Sequence, residues 1–147
     1  MLKKTTGFTL VELLVVISII ALLSTLAIVA LNSARQKSRD AKRVADIKQI
    51  QTGLEMYLDG TTTKVYPTAA TAITLGGTSY ACLNQASGFT TANCTSPIMS
   101  FVPADPGANS YSYTSATGAT YTLVFTLEGA SGSLAAGAHT ASPGGIQ

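Results

Sequence analysis

A long apolar segment near the N-terminus constrains the fold more than any other feature of the sequence. From Phe8 to Leu31 the chain is rich in leucine, isoleucine, valine and alanine, and it contains neither proline nor glycine. A helix of about 20 mostly apolar residues can cross a bilayer, so this segment is long enough to do so. It nevertheless carries a carboxylate, Glu12, close to its start. Because a charge in hydrocarbon costs roughly 2.5 kcal/mol or more, Glu12 is expected to have a functional role.

The residues around Glu12 form a motif in register with the apolar segment. The leader ends in Lys3-Lys4-Thr5-Thr6-Gly7, and the apolar segment opens with Phe8-Thr9-Leu10-Val11-Glu12. This arrangement resembles the class III signal of the type IV pilin and type II secretion pseudopilin family. The resemblance implies that a peptidase cuts between Gly7 and Phe8 and methylates the new amine of Phe8. It also implies that Glu12 acts in filament assembly and axial register.

The apolar segment is predicted to continue as an amphipathic helix. Beyond Leu31, apolar residues recur at spacings of three and four, which is the pattern of a helix with one buried face. Asp59-Gly60-Thr61 predicts the end of this helix. We expect Asp40, Asp46 and the basic residues from Arg35 to Arg43 to lie on its solvated surface. The residues of the apolar stripe are Ala41, Val44, Ile47, Ile50, Leu54 and Tyr57.

The C-terminal half of the sequence carries the pattern of β-strands. Tyr111-Ser112-Tyr113-Thr114 alternates, and after a turn near Gly118 an apolar residue recurs at every second position from Tyr121 to Leu127. Alternation of this kind predicts an antiparallel hairpin with one buried face. From Gly129 onwards the chain is mostly glycine, alanine and serine, which predicts either one edge strand or a mobile tail.

These patterns together predict an α+β fold in which a long N-terminal helix packs on a small antiparallel β-sheet head. We assign residues 1–7 to a leader and residues 8–31 to a membrane-spanning or filament-core helix. Residues 32–59 form the amphipathic continuation, and residues 60–147 form the head with a disulfide loop and the hairpin.

The two cysteines, Cys82 and Cys94, predict one disulfide, because an export signal places the chain in an oxidising compartment. A pair of free thiols is the alternative. A zinc site would need two further ligands, and the only histidine is His139 in the C-terminal tail, where we expect it to be exposed. A calcium site at Asp105 or Glu128 would need six or more oxygen ligands, and the head has few carboxylates. We therefore predict no metal and no cofactor.

Composition and motifs argue against two broad functions. A nucleophilic triad needs a histidine beside a serine or cysteine, and the only histidine, His139, is expected in an exposed tail. No phosphate-binding loop follows a predicted strand. We therefore predict no enzyme. The net charge is +2, from nine basic and seven acidic residues. Removing the leader with Lys3 and Lys4 leaves seven of each sign, which gives no support for nucleic-acid binding.

The membrane topology rests on the motif rather than on charge. Six basic residues from Arg35 to Lys48 follow the apolar segment, and two precede it. The positive-inside rule alone would therefore place the head in the cytoplasm. The prepilin-like signal and the predicted disulfide favour the opposite orientation, with a cytoplasmic N-terminus in the bacterial inner membrane. The mature form is then expected in an extracellular or periplasmic filament.

The resemblance implies a structural subunit of a type IV pilus-like filament, polymerised through its N-terminal helix. Its implied partners are a prepilin peptidase and methyltransferase, other copies of itself, minor pilins, membrane lipid, and an inner-membrane assembly platform driven by an ATPase. Two alternatives remain open at this point. One is a pseudopilin of a type II secretion or competence system, and the other is a membrane-anchored binding domain that does not polymerise.

Overall fold

The computed structural model describes residues 7–78, 80–91 and 94–147, so the predicted leader lies outside the described residues except for Gly7. The chain divides between Arg35 and Gln36 into two compact units. The predicted fold class is confirmed, because a long helix and antiparallel sheets make up the described chain. The elements are α1 (Leu10–Gly60), β1 (Ala69–Leu75), β2 (Cys82–Asn84), β3 (Gly88–Thr90), β4 (Pro97–Met99), β5 (Tyr111–Ser115), β6 (Thr122–Leu127), β7 (Gly137–Ser142) and β8 (Gly145–Ile146).

The N-terminal unit consists of the first half of α1. Every described residue from Gly7 to Arg35 is exposed in the single chain, including the large apolar side chains. By length and composition α1 is apolar enough to cross a membrane. The helix does not end after Leu31, since it continues to Gly60, where the sequence predicted its end.

The second unit is the head, in which residues 36–60 of α1 lie on a five-stranded sheet. The strand order is β1-β5-β6-β7-β8, and every neighbouring pair is antiparallel. The predicted hairpin is present as β5 and β6, with Tyr113 opposite Leu123. Its buried face packs with the apolar stripe of α1 in one core. The central residues of this core include Ile47, Ile50, Leu54, Tyr111, Tyr113, Leu123 and Phe125.

A second, three-stranded sheet of order β3-β2-β4 was not predicted. Each of its strands has only three residues. Cys82, at the start of β2, is joined to Cys94 by the predicted disulfide, with the two Cα atoms 6.4 Å apart. Leu83 of β2 is fully buried, so this sheet adds to the core of the head.

The C-terminal tail forms strands, which decides between the two alternatives left open by its composition. β7 pairs with β6 along five residues, and β8 lies at the edge of the sheet, so the tail adds two strands instead of one. The expectation of an exposed His139 in a mobile tail is wrong. His139 is half-buried on β7, and its ring centroid lies 5.6 Å from that of Phe125.

The predicted surface of α1 is also wrong at four positions. Asp40, Arg43 and Asp46 are buried, although they were expected on the solvated face, and Ala41 is exposed although it belongs to the predicted stripe. Arg35, Lys37 and Lys42 are exposed, as expected. Buried charges of this kind need partners. Asp40 and Arg43 pair with each other, and their other partners lie far away in sequence, near Asp105 and Glu128.

Gly53 allows the second sheet to approach α1 closely. A Cβ atom at this position would lie 2.8 Å from Met99 Cγ and 3.6 Å from Leu83 Cδ2. Glycine in a helix interior costs about 1 kcal/mol relative to alanine. The close contact with β2 and β4 explains why a glycine stands here despite that cost.

We expect Gly53→Ala to lower the melting temperature of the head, because overpacking of this kind costs about 1–3 kcal/mol and exceeds the gain in helix propensity. In a Met99→Ala background the same substitution is expected to be neutral or stabilising. The tyrosine band in the near-UV circular dichroism of the full-length protein in detergent reports the head alone, since all six tyrosines follow residue 35 and there is no tryptophan. Equal effects in the two backgrounds would contradict this explanation.

Candidate processing and assembly site

The motif residues lie at the start of α1. Gly7 and Phe8 precede the helix, and Phe8 is 83% exposed. Thr9 occupies the N-cap position, since the helix begins at Leu10. Glu12 is therefore the third helical residue and lies in the first turn, beside the unpaired N–H groups of the helix.

Thr9 and Glu12 form a capping box. The backbone N–H of Thr9 donates to Glu12 Oε2 at 2.8 Å, and the Thr9 hydroxyl donates to the same oxygen at 2.7 Å. In return the N–H of Glu12 donates to Thr9 Oγ1 at 3.3 Å. This reciprocal arrangement fixes the first turn of the helix and orients the carboxylate. Sequence reasoning missed Thr9, although Thr-x-x-Glu before an apolar run is a recognised signature of such a box.

One oxygen of the Glu12 carboxylate is not used by the capping box. Both hydrogen bonds from Thr9 reach Oε2, and Oε1 accepts none from the described residues. The side chain is exposed in the single chain. The carboxylate can therefore bind a cation from another molecule through Oε1 while Thr9 continues to hold Oε2.

The fold itself does not require glycine at position 7. An added Cβ atom would have no described atom within 4 Å, and Gly7 is not among the glycines with a positive φ. Gly7 is thus unlike Gly53, whose small size is needed for packing. The residue before the predicted cut is free of structural constraint from the described chain and accessible to another protein.

The other candidate residues, Asp105 and Glu128, lie in an ion-pair network in the head. Arg43 is fully buried, and its guanidinium donates to Asp105 from Nε at 2.7 Å and from Nη2 at 2.9 Å. Arg43 Nη1 donates to Asp40 at 2.7 Å and lies 2.8 Å from Glu128 Oε1. Arg39 also pairs with Glu128.

Asp40 extends this network to the backbone after β6. Its two carboxylate oxygens accept the N–H groups of Glu128 at 2.9 Å and Gly129 at 2.8 Å. A buried guanidinium with several satisfied partners is tolerated, whereas removing one partner would leave an uncompensated charge. The network therefore fastens α1 to the loop around Asp105 and to the end of β6.

Arg43 supplies the positive charge that a cation would otherwise bring to Asp105 and Glu128. Among the described residues, no three histidine, cysteine, aspartate or glutamate side chains are arranged to hold a metal ion. The Arg39 and Arg43 guanidinium groups lower the pKa of Glu128 to about 2. Burial alone would raise the pKa of Asp105, but hydrogen bonds from Arg43 and from the N–H of Gly107 outweigh it and lower that pKa.

Comparisons with known proteins bear on the N-terminal motif. A family model described as the prokaryotic N-terminal methylation motif matches residues 2–28, across the predicted cut. Over 68 residues the chain is 38% identical to "Type II secretion system core protein G" of Vibrio cholerae serotype O1 (strain ATCC 39315 / El Tor Inaba N16961). The N-terminal segment is thus similar to the prokaryotic N-terminal methylation motif. No solved structure gives a significant match.

The match to this relative is partial in length. It covers 46% of this chain and 44% of the Vibrio protein, so the chain spans less than half the length of the curated relative that it matches. The methylation motif and the apolar α1 together indicate a precursor anchored in a membrane.

The ion-pair network of the head predicts a loss of stability in acid. Because the pKa of Glu128 is about 2 in the folded chain and 4.5 in the reference state, its contribution is present above pH 4.5 and lost as pH falls towards 2. We expect Glu128→Gln to lower the melting temperature at neutral pH and to make its decline in acid shallower. Near-UV circular dichroism of the full-length protein in detergent measures both effects.

Asp59→Asn is the matched control for Glu128→Gln, since it also replaces one paired carboxylate by an amide. The Asp59 side chain is 92% exposed and, among the described residues, forms an ion pair with Lys64 alone, at 3.0 Å. An exposed pair of this kind contributes little to stability. If the two variants show the same acid profile, the network does not couple Glu128 to folding.

Proposed function

We propose that this protein is the structural subunit of a type IV pilus-like filament. It is made as a membrane-anchored prepilin, cut between Gly7 and Phe8, methylated on the Phe8 amine and polymerised through α1. The observation that carries this proposal is the match of the methylation motif over residues 2–28. It coincides with an apolar helix whose side chains are exposed in the single chain.

The proposed domain roles follow from this assembly. Residues 1–7 are the leader, and residues 8–31 anchor the precursor and later form part of the filament core. Residues 32–59 connect the core to the head, and residues 60–147 form the exposed head. The exposure of Phe8 and the absence of a structural need for Gly7 support recognition of this segment by a peptidase.

Cleavage creates the positive charge that Glu12 needs. Hydrolysis of the bond between Gly7 and Phe8 leaves an amine on Phe8, and N-methylation keeps that amine cationic. In a water-poor helix bundle, the ammonium of one subunit and the carboxylate of another attract each other strongly. The unused Oε1 of Glu12 supports such a pair, because the capping box leaves it free. Pairing at one position also sets the axial register between neighbouring helices.

Processing and polymerisation of this kind imply particular partners and a particular location for the protein. The precursor lies in the bacterial inner membrane with its N-terminus in the cytoplasm, and the mature form lies in an extracellular or periplasmic filament. The partners are a prepilin peptidase and methyltransferase, further copies of the chain, minor pilins, and an assembly platform driven by an ATPase. Membrane lipid surrounds the helix before assembly.

The name of the Vibrio relative favours one of the two kinds of filament subunit. The Vibrio relative is named a type II secretion core protein, which supports a pseudopilin of a secretion system over a pilus displayed on the cell surface. A membrane-anchored domain that never polymerises is the remaining alternative, and it predicts that neither the charge of Glu12 nor cleavage matters.

Replacing Glu12 separates its charge from its capping role. Glutamine at the third helical position also completes a capping box, so Glu12→Gln keeps the first turn but removes the charge. We expect Glu12→Gln and Glu12→Leu to leave the subunit in the membrane at normal levels and to abolish its filaments. Electron microscopy and crosslinked multimers on immunoblots measure the filaments, and membrane fractionation measures the anchored subunit.

Thr9→Ala is the complementary variant, since it removes the hydroxyl of the box and leaves the carboxylate. Losing an N-cap of this kind costs about 1 kcal/mol, so we expect fewer filaments but not their absence. Normal filaments from Glu12→Gln would show that the proposed ammonium pair is not needed, and Glu12 would then act as a helix cap alone.

A further inference from the structure

A groove in the head lies between α1 and the turn that joins β7 to β8, and its volume is about 470 Å³. This volume is in the range of pockets that bind small molecules. The α1 side of the groove is polar throughout, with one ammonium, one amide, one hydroxyl and one carboxylate. We name it the helix–turn groove, and its lining residues from α1 are Lys48, Gln51, Thr52 and Glu55.

A buried tyrosine hydroxyl without a partner lies at this groove. Tyr121, the residue before β6, belongs to the lining and is 1% exposed. Its hydroxyl is buried and forms no hydrogen bond with any described residue. Burial raises the pKa of Tyr121, the amide of Gln51 opposes this change, and the charge of Glu55 adds to it. The hydroxyl end of the ring therefore lies beside two other residues of the lining.

The unpaired hydroxyl is an exception within this head. The three other buried tyrosines, Tyr66, Tyr111 and Tyr113, each donate their hydroxyl proton to an acceptor in the head, at 2.9, 3.0 and 2.6 Å. The amide of Gln51 is engaged elsewhere, since it donates to the carbonyl oxygen of Ser142 at 2.8 Å. Buried polar groups are nearly always paired, because leaving one unpaired costs free energy. The exception at the groove therefore points to a partner that is not part of the head.

Two charged residues of the groove also have unused hydrogen-bonding capacity. Lys48 forms no ion pair with any described residue. Glu55 accepts the hydroxyl of Tyr66 on Oε1, and its Oε2 accepts no hydrogen bond from the described residues. Lys48 and Glu55 are seven positions apart on α1, so about two helical turns, or about 10 Å, separate them along the groove.

We infer that the helix–turn groove is a binding site for an uncharged ligand rich in hydroxyl groups, namely a saccharide. Lys48 repels cationic ligands and Glu55 repels anionic ones, so a neutral ligand suits both. The hydroxyl of Tyr121 and the ammonium of Lys48 need acceptors, whereas Oε2 of Glu55 needs a donor. A hydroxyl group both donates and accepts hydrogen bonds, so one ligand with several hydroxyls satisfies all three.

A saccharide fits this lining better than an extended peptide does. Peptides bind in grooves through pockets for their apolar side chains. None of the described lining residues is a leucine, isoleucine, valine, phenylalanine or methionine, and the turn of residues 143–145 contributes only a proline ring and two glycines. The site is independent of processing and of polymerisation through α1 before Asn32, because all of its residues lie in the head.

Binding is tested with the full-length protein on an array of neutral, acidic and amino-sugar oligosaccharides. The detergent has no sugar headgroup, so it does not compete for the groove. We expect neutral oligosaccharides to bind, and acidic and amino-sugar ones to bind several-fold more weakly. Glu55→Gln is expected to strengthen the binding of acidic oligosaccharides, since it removes the charge that repels them. Tyr121→Phe is expected to lower the affinity for the best neutral oligosaccharide several-fold.

Tyr113→Phe is the matched control for Tyr121→Phe, since it also removes one buried hydroxyl. The Tyr113 hydroxyl donates to the carbonyl oxygen of Pro67 at 2.6 Å, and Tyr113 does not line the helix–turn groove. We expect Tyr113→Phe to lower the melting temperature of the head and to keep the affinity. Tyr121→Phe is expected to do the reverse, because its hydroxyl has no partner in the head to lose. The tyrosine band in near-UV circular dichroism measures the melting temperature.

Three results would overturn the inference. The first is that no neutral oligosaccharide binds, or that acidic or amino-sugar oligosaccharides bind more tightly than neutral ones. The second is an equal affinity of the unmodified chain and of Tyr121→Phe for the best neutral oligosaccharide. The third is a loss of stability in Tyr121→Phe as large as that in Tyr113→Phe, since an ordered water molecule would then already satisfy the Tyr121 hydroxyl.

Discussion

The apolar surface of α1 before Asn32 is the constraint on which the rest of the protein depends. The side chains from Leu10 to Leu31 are exposed in the single chain, for example Leu10 at 80% and Val29 at 70%. Each Å² of apolar surface left in water costs about 25 cal/mol, so a surface of this size has to be covered. Lipid would cover it in an anchored precursor, and neighbouring helices would cover it in the proposed filament. Membrane insertion and assembly are thus two solutions to one physical requirement.

In the proposed filament, Glu12 turns this general requirement into a specific arrangement. Apolar helices packed in a bundle have little to fix their sliding along the axis, whereas a charge pair has one position of lowest energy. The capping box adds preorganisation, since Thr9 holds one oxygen and points the carboxylate in a fixed direction before any partner arrives. The same residue therefore stabilises the helix start in the single chain and, in the proposed filament, binds the cation created by processing.

Features with a regular period could be predicted from the sequence. The spacing of Ile47, Ile50 and Leu54 predicts the buried side of α1, and the alternation from Tyr121 to Leu127 predicts a half-buried strand.

The burial of Arg43 could not be predicted, because Asp105 is 62 residues away in sequence and only the folded head brings the two together. The strands of the second sheet are three residues long, too short to show a period. The strand β7 is composed of residues that more often form turns and loops. The role of Thr9 as a helix cap could have been predicted, because the Thr-x-x-Glu signature of a capping box is present at Thr9 and Glu12.

The measurement that tests the account most directly is mass spectrometry of the N-terminal peptide, taken separately from membranes and from filaments sheared off cells. The account predicts a peptide that begins at Phe8 and carries a methyl group on its amine. Its presence in sheared material would identify a surface filament, and its restriction to membranes would identify a pseudopilin or minor subunit. A chain that still begins at Met1 in both fractions would contradict processing, and with it the proposed cation for Glu12.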